Sequence, residues 1–467
     1  MKRILSNLSY SFAANLVTML VSVLIVLLIP KFWGDEPYGY FQLYLFYISY
    51  VGFFHLGWVD GIYLRIGGKS YTSLDGPLYA AQFFLLAILS ATAAAAIVLV
   101  SPFFVQDPNQ LFVVRMFCVC IAVYLPVTYI NYILQATNCI KEYARILLSE
   151  KLVFIVLLIL LLIGGETGFQ SLIYADLAGK LVALVLAVVY ARTFLFSGLC
   201  SLERTVREMF VNISVGCKLM VANVASMLII GIVRFAIQSN WGVTVFGKVS
   251  LALSVSNLFI VFVTAVSVVL FPVLKQVNGS RQVEIYDFIR HLLMPALFLM
   301  LLFYCPVQFV LGNYLPGYRE SLRYLAIMLP VCVFECKMSL LVNTYLKVLR
   351  KEWQILYVNL AVVAMSFLMT LLTVYMWHSL NAAVAGIVVL IAARVYIAEV
   401  YLARTLGFSI RKELLLELVL TVVFILSSWF LGGWKSMLIY AAAYLAYLAW
   451  MWKDFRKSLA FIRNGGI

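Results

Sequence analysis

The sequence predicts an all-α integral membrane protein with about fourteen transmembrane helices. They are expected to form two six-helix lobes, related by a pseudo-twofold axis along the membrane normal, followed by two C-terminal helices. Three observations predict this fold: the composition, the distribution of basic residues, and a repeat with an offset of 208 residues. Of the 467 residues, 65% are hydrophobic and 12% are charged, which is more apolar surface than a soluble core of this length can bury.

Apolar runs of about 20 residues, the length that a helix needs to cross roughly 30 Å of hydrocarbon, occur fourteen times. Helices are predicted rather than barrel strands because backbone groups in lipid must form their hydrogen bonds within the segment. We number these runs as spans 1 to 14. They cover residues 8–29, 38–61, 78–100, 111–136, 146–163, 171–191, 212–236, 244–273, 286–311, 322–346, 353–376, 381–403, 413–431 and 434–452.

The basic residues alternate between the two sides of the predicted membrane protein. If the N-terminus lies inside, 23 of the 34 Lys and Arg residues fall in inner loops. By the positive-inside rule, both termini are therefore expected to be cytoplasmic. The net charge of +14 is explained by these inner loops next to anionic membrane lipids, so nucleic acid is not an expected partner. The outer loops and outer span edges hold Lys31, Arg319, Arg323 and Lys435.

A short motif occurs twice along the chain. The sequence WGDEPYGYF begins at Trp33 and WGVTVFGKV begins at Trp241, 208 residues later. Six spans separate the copies, and an even number places both on the same side, which predicts parallel repeats with a substrate site at their interface. The predicted domains are an N-terminal lobe (1–196), a cytoplasmic inter-lobe linker (197–211), a C-terminal lobe (212–405), and helices 13 and 14 with a basic cytoplasmic tail (406–467).

Polar side chains follow one face of spans 1, 7 and 8, and more weakly of span 2. Their spacing is helical, as in i, i+4, i+7 and i+11. Small polar residues can simply help transmembrane helices to pack, but repeated stripes in equivalent spans favour a shared polar cavity. The predicted lining residues are Ser11, Asn15, Thr18, Ser22, Gln42, Ser49, Asn223, Ser226, Ser250, Ser254 and Asn257.

The stretch DEPYGYFQLYLFYISYVGFFHLGWVDGIYLRIGG, from Asp35 on, follows a first helix that ends in a short outer turn. It resembles the polysaccharide-transporter branch of the multidrug/oligosaccharidyl-lipid/polysaccharide exporter superfamily, which includes O-antigen and capsule repeat-unit flippases. The resemblance implies a central cavity lined mainly by spans 1, 2, 7 and 8, and alternating access. It also implies transport of an undecaprenyl-pyrophosphate-linked glycan across the bacterial inner membrane, for O-antigen, capsule or exopolysaccharide synthesis. A polysaccharide polymerase and a chain-length regulator would then be partners.

Charged side chains inside the spans are the candidate binding residues, because a charge at mid-bilayer costs about 2.5 to 3.5 kcal/mol on insertion scales. Arg234 and Lys248 flank the second copy of the motif, and a guanidinium with an ammonium suits a diphosphate. Alternatively, both reach outward to lipid phosphates or to outer carboxylates. Lys218 and Lys337 are expected to contact the same headgroup from the inner side.

Acids inside the spans are candidates for coupling or gating. Asp176 lies four residues before Lys180, a spacing that favours a local ion pair. Glu335 could carry a coupling proton or be neutralised by Lys218 or Lys337. The candidate acids are Glu335, Asp60 and Asp176. The dispersed His and Cys residues predict no metal site, and no cofactor is expected.

Two other function classes compete with the flippase. The first is a multidrug or metabolite antiporter of the same superfamily, which usually has twelve spans and favours acidic cavity groups; a lipid II flippase, also with fourteen spans, stays open. The second is a membrane polysaccharide polymerase or glycosyltransferase. The outer loops are short and contain no catalytic constellation, so the chain is not expected to be an enzyme.

Overall fold

The computed structural model describes residues 2–275, 279–319 and 321–463. Within these ranges, the side chains of residues 2–15, 259, 261–275, 279–282, 352, 453–455 and 457–463 lie outside the description. The described chain is helical and contains no β-strand. Eleven of its helical segments are long and apolar enough to cross a membrane. The predicted all-α membrane fold is therefore confirmed.

The first compact unit, Met1–Val224, holds spans 1 to 6 and the beginning of span 7. In this unit α6 packs on α1 and α7, and α4 packs on α5. Apolar side chains of α3, α4, α5 and α7 form its core. Its helices are α1 (Lys2–Trp33), α2 (Asp35–Ile48), α3 (Trp58–Ile66), α4 (Gly76–Val100), α5 (Pro108–Ala136), α6 (Ile140–Ile163), α7 (Phe169–Leu195) and the first part of α8 (Leu202–Lys275).

Span 2 is a broken helix rather than the continuous helix that its apolar pattern predicts. A 3-10 turn at Val51–His55 separates α2 from α3. The next residues, Leu56 (φ 51°) and Gly57 (φ 83°), adopt left-handed backbone conformations. Gly accepts this conformation without a steric penalty because it has no Cβ. The break therefore divides span 2 into two helices, α2 and α3.

The two copies of the Trp-Gly motif have the same backbone conformation. Gly34 has φ 84° and ψ −177°, and Gly242 has φ 82° and ψ 177°. This region of backbone space is essentially restricted to Gly. The backbone therefore repeats with the same 208-residue offset as the sequence, and Gly242 breaks α8 between spans 7 and 8.

The second compact unit, Ala225–Ile467, holds the remaining spans. Span 10 is its central helix, with 89% of its most apolar stretch buried, and it contains a π-helical turn at Met338–Asn343. The division between the two units falls within α8, and the predicted domain boundaries stay a prediction. The helices after α8 are α9 (Gly279–Met300), α10 (Tyr304–Tyr314), α11 (Ser321–Met328), α12 (Pro330–Lys337), α13 (Thr344–Val348), α14 (Glu352–Thr370), α15 (Leu380–Leu406), α16 (Arg411–Phe430) and α17 (Gly433–Arg463).

Spans 13 and 14 are an integral part of the second unit. They correspond to α16 and α17, which pack on each other, and α17 also packs on α9 and α10. The Tyr440 hydroxyl donates to the carbonyl oxygen of Phe298 at 2.8 Å, and the Tyr444 hydroxyl donates to that of Pro295 at 2.9 Å. Since both tyrosines are buried, these bonds fix α17 along α9.

Candidate binding site

The break at Gly242 brings predicted site residues together within the second unit. Arg234, before the break, donates from Nη2 to Ser250 Oγ, after the break, at 2.8 Å. Its guanidinium carbon lies 4.9 Å from the centroid of the Phe246 ring. Arg234 and Lys248 are partly exposed. The break thus places the Arg234 guanidinium against the Phe246 ring and the Ser250 hydroxyl. Lys248, a second partly exposed cation, lies on the same helix.

The other predicted lining residues differ in accessibility. Gln42 is buried and donates to Tyr38 Oη at 2.8 Å, and Ser250 is buried beneath Arg234. The expectation that these two side chains line a cavity is therefore corrected. The side chains of Ser11 and Asn15 lie outside the described residues. Exposed or partly exposed positions are Thr18, Ser22, Ser49, Asn223, Ser226, Ser254 and Asn257.

The two remaining lysines of the predicted phosphate site have different surroundings. Lys218 is exposed in the first unit. Lys337 is fully buried in the second unit, where its Nζ lies 2.5 Å from Glu399 Oε2 and 2.6 Å from Glu417 Oε2. Two carboxylates already neutralise Lys337 at a position without an accessible surface. This geometry corrects the expectation that Lys337 contacts a diphosphate.

Lys337 belongs to a buried cluster of two cations and two carboxylates, contributed by spans 9, 10, 12 and 13. Arg290 donates from Nε to Glu399 Oε1 at 3.0 Å and from Nη2 to Glu417 Oε1 at 2.6 Å. The hydroxyl of Tyr286 also donates to Glu399 Oε1, at 2.7 Å. All four charged groups are buried. Buried charges are tolerated where they are paired and hydrogen-bonded, so the cluster ties span 13 to the other three spans.

Glu335 is paired, but with a partner that the sequence did not predict. Arg394 on span 12 donates from Nη1 to Glu335 Oε1 at 2.9 Å and from Nε to Asn359 Oδ1 at 2.9 Å. Lys337, one of the two partners expected from the sequence, is held in the buried cluster instead. The side chain of Glu335 stays 25% exposed, so it is accessible from one side.

Asp176 and Lys180 form the predicted i, i+4 ion pair, at 2.5 Å in the first unit. The Tyr44 hydroxyl donates to the same carboxylate oxygen at 2.9 Å. Lys180 Nζ also lies 3.7 Å from Glu150 Oε1, and Lys151 donates to this oxygen at 2.8 Å. The pair is confirmed and belongs to a larger network, whereas a coupling role for Asp176 stays a prediction.

Asp60, the third candidate acid, is buried in α3. Its Oδ2 lies 3.9 Å from His55 Nδ1. That nitrogen accepts the backbone N–H of Gly57 at 3.1 Å, so it carries no proton to share with Asp60. The carboxyl group therefore lies beside a neutral imidazole and not in a hydrogen-bonded ion pair.

Next to Asp60, α3 crosses the first part of α8 at backbone contact. A Cβ on Gly61 would lie 1.9 Å from the carbonyl oxygen of Asn212, and a Cβ on Gly216 would lie 2.0 Å from that of Gly57. The Asn212 side chain donates to Gln82 Oε1 at 2.9 Å. Glycines permit this approach because a larger residue would clash with main-chain atoms.

Sequence reasoning missed Glu150, Arg290 and Glu417. Arg290 counted as an inner-loop cation, although it lies inside α9. Glu417 lies within an apolar run of span 13. A charged residue at such a position is usually buried and paired with an opposite charge. The partners of Arg290 and Glu417 lie far away in sequence, so only the packing of the helices reveals them.

The described part of the chain offers no metal centre. Within these ranges no three His, Cys, Asp or Glu residues gather closely enough to hold an ion. All eight cysteines are free thiols.

No protein-family model matches the chain, and no curated protein matches it. Several solved structures do. One is an outward-facing multidrug resistance MATE family transporter of the MOP superfamily, with 14% identity over 86% of this chain and 95% of that chain and a TM-score of 0.59. An inward-facing transporter of the same description has 14% identity over 83% and 94% of the two chains and a TM-score of 0.62. The chain has the fold of these transporters.

Another solved structure with this fold is a MOP superfamily transporter from Pyrococcus furiosus. It is described as having a binding pocket of reverse polarity that suggests a different function. It has 15% identity over 86% of this chain and 95% of that chain, with a TM-score of 0.58. At 14 to 15% identity these likenesses show the fold, and the substrate has to be argued from the charges of this chain.

Proposed function

We propose that the chain is a membrane transporter that works by alternating access and flips an undecaprenyl-pyrophosphate-linked oligosaccharide across the bacterial inner membrane. Three of the solved structures with this fold are described as transporters, which supports the transport class. In this proposal the pyrophosphate contacts Arg234 and Lys248, and the lipid tail stays in the bilayer. A polysaccharide polymerase and a chain-length regulator act on the delivered glycan.

The neutralised carboxylates of the spans are the observation that carries the choice of substrate. A transporter of cationic drugs needs acidic groups that a ligand can reach. Here Glu399 and Glu417 are paired with Lys337, and Asp60, which has only the neutral His55 beside it, is buried. The other pairs are Asp176 and Glu150 with Lys180, and Glu335 with Arg394.

The geometry at Gly242 fits a phosphate ligand. Arg234 uses Nη2 for the neutral Ser250 hydroxyl, and an Arg fork forms bidentate bonds to phosphate oxygens. The cation–π contact with Phe246 helps to hold the guanidinium group in place. Lys248 adds a mobile positive charge on the neighbouring part of α8.

The test is the double variant Arg234→Ala/Lys248→Ala in a strain that depends on this chain for surface polysaccharide. We expect polysaccharide to be lost while the protein level in the membrane stays normal. Arg234→Lys keeps the charge without the fork and should retain part of the activity. The matched control is Arg411→Ala/Lys412→Ala, two exposed cations at the start of α16. Normal polysaccharide in the first double variant would contradict the site.

A multidrug antiporter is the second candidate, and the fold supports it equally, because two of the solved structures above are described as multidrug resistance transporters. A drug-susceptibility panel on a deletion strain separates the two. Increased susceptibility to cationic drugs with normal polysaccharide would favour the antiporter, and the opposite pattern would favour the flippase. That the chain is not an enzyme stays a prediction.

A further inference from the structure

A cationic pocket lies at the end of the second unit where spans 9, 10 and 14 meet, on the predicted outer side. The positive-inside pattern leaves only four cations on that side. One of them, Arg319, lines the pocket, whereas Arg323 and Lys435 only follow the lining residues Leu322 and Trp434 along the chain. A cation on the cation-poor side, in a pocket with no acid among its described lining residues, suggests an anionic ligand.

The pocket has a volume of about 360 Å³. One face of α10, with the i, i+3, i+4, i+7 spacing of residues 305, 308, 309 and 312, forms one wall. Gln308 provides an amide on this wall, and Gly312 provides backbone without a side chain. Arg319 closes the second side, and Gly433 and Trp434 close the third.

Arg319 is held in place by the pocket itself. Its Nε donates to the carbonyl oxygen of Gly312 at 2.9 Å. Within the described ranges no other residue accepts from its guanidinium, so the terminal nitrogens are available for the paired bonds that Arg forms with phosphate oxygens. Arg323 differs, because its guanidinium carbon lies 4.9 Å from the centroid of the Trp429 ring.

The start of α17 adds a second positive element. This 31-residue helix begins at Gly433, and the first N–H groups of a helix lack intrahelical partners and carry a partial positive charge. None of the described residues that line the pocket is an acid; Glu320 lies outside the described residues. An Arg fork opposite a helix N-terminus is a recurrent arrangement for binding a phosphate.

The rim of the pocket is apolar. The lining residues Phe309 and Trp434 are 62% and 59% exposed, and Trp is enriched where hydrocarbon meets the headgroups. A cationic pocket with an apolar rim on the predicted outer side fits a headgroup whose chains remain in the bilayer. We propose that the pocket binds the phosphate group of a membrane lipid in the outer leaflet, either an anionic phospholipid or a polyprenyl pyrophosphate. This assignment does not depend on the proposed transport function.

The test measures lipid retention by native mass spectrometry of the purified full chain, titrated with phosphatidylglycerol or with a phosphate-free glycosyl diacylglycerol. The wild type should retain phosphatidylglycerol more strongly than the phosphate-free lipid. Arg319→Gln should weaken this retention by about tenfold, because it removes charge-assisted hydrogen bonds. Gln308→Glu leaves the bond from Arg319 to Gly312 in place and should weaken retention by repulsion. The matched control is Lys31→Gln, the fourth cation of that side, which lies in the first unit.

Competition with a polyprenyl pyrophosphate identifies the source of the phosphate. Displacement of phosphatidylglycerol in the wild type, and not in Arg319→Gln, would assign the pocket to a lipid-linked pyrophosphate. Retention of phosphatidylglycerol would assign it to a phospholipid. Equal retention of the phosphate-free lipid, or unchanged retention in both pocket variants, would overturn the proposal.

Discussion

Glu417 neutralises two cations inside the second unit, since it accepts from Arg290 and Lys337 while being almost completely buried. Replacing it by Gln removes the charge and leaves the cations with Glu399 alone. Breaking a buried ion pair in this way typically destabilises a protein by about 3 to 5 kcal/mol. We therefore expect Glu417→Gln to lower the thermal unfolding temperature of the purified protein strongly.

Glu413 offers a matched control, because it lies one turn earlier on α16 and is partly exposed. Glu413→Gln should leave the unfolding temperature nearly unchanged. The double variant Lys337→Met/Glu417→Leu removes one charge of each sign and should be more stable than Glu417→Gln. Equal stability of Glu417→Gln and Glu413→Gln would contradict the ionic role of the cluster.

Lys180 holds two carboxylates in the first unit, whereas each carboxylate has a further partner. In Lys180→Met, Asp176 loses its ionic partner and keeps only the Tyr44 hydroxyl, whereas Glu150 still pairs with Lys151. The variant should therefore destabilise the unit by about 3 to 5 kcal/mol. Asp176→Asn keeps the pair of Lys180 with Glu150 and should have a smaller effect. Unfolding in denaturant, measured alongside transport, checks both. A stable Asp176→Asn protein without transport would instead identify Asp176 as a coupling acid.

At the scale of elements, the crossing of α3 and α8 depends on Gly61. A Cβ there would lie 1.9 Å from the main-chain oxygen of Asn212, and main-chain atoms cannot move aside as a side chain can. Gly61→Ala should therefore force the helices apart and destabilise the protein by about 1 to 3 kcal/mol. Gly52→Ala is the control on the same span, because its Cβ would meet only His55 Nε2 at 3.7 Å. Equal unfolding temperatures for the two variants would show that the close contact is unimportant.

The repeated turn gives a paired prediction. Gly34 and Gly242 share a backbone conformation that costs other residues about 1 to 3 kcal/mol. A Cβ at either position would meet no atom within 4 Å, so the effect of Ala comes from the backbone alone. Gly34→Ala and Gly242→Ala should lower the unfolding temperature to a similar extent. A normal unfolding temperature for Gly242→Ala would mean that the break in α8 has another cause.

The sequence predicted the all-α membrane fold and the place of its spans because apolar runs and basic loops report directly on burial in lipid. It did not predict the break of span 2, since hydropathy is insensitive to the left-handed backbone at Leu56 and Gly57. The turn at Gly34 and Gly242 was predictable because a Gly-restricted conformation leaves the same residue in both copies.

At the scale of the whole chain, the sequence showed where charges enter the membrane but not how they pair. Helical spacing predicted the ion pair of Asp176 and Lys180, because both residues lie on one helix. It could not identify Glu335 with Arg394, because that contact joins two spans 59 residues apart in sequence. The sequence singled out Arg234 and Lys248, where the two copies of the motif differ, and their role as a binding site stays a prediction; it did not show that Lys337 is buried between two carboxylates.

The C-terminal helices supply the last prediction, because Glu417 in span 13 is the only described contribution of that span to the buried cluster. A chain that ends at residue 405 would leave Arg290 and Lys337 buried with Glu399 alone. It would also expose the surface of α9 that Tyr440 and Tyr444 cover.

We expect this truncation to abolish the accumulation of folded protein, measured by size-exclusion chromatography of detergent extracts. Adding Lys337→Met to the truncated chain should restore part of the folded peak, because Arg290 and Glu399 then form a single ion pair. A truncated chain that accumulates and unfolds like the wild type would show that spans 13 and 14 are dispensable for the second unit.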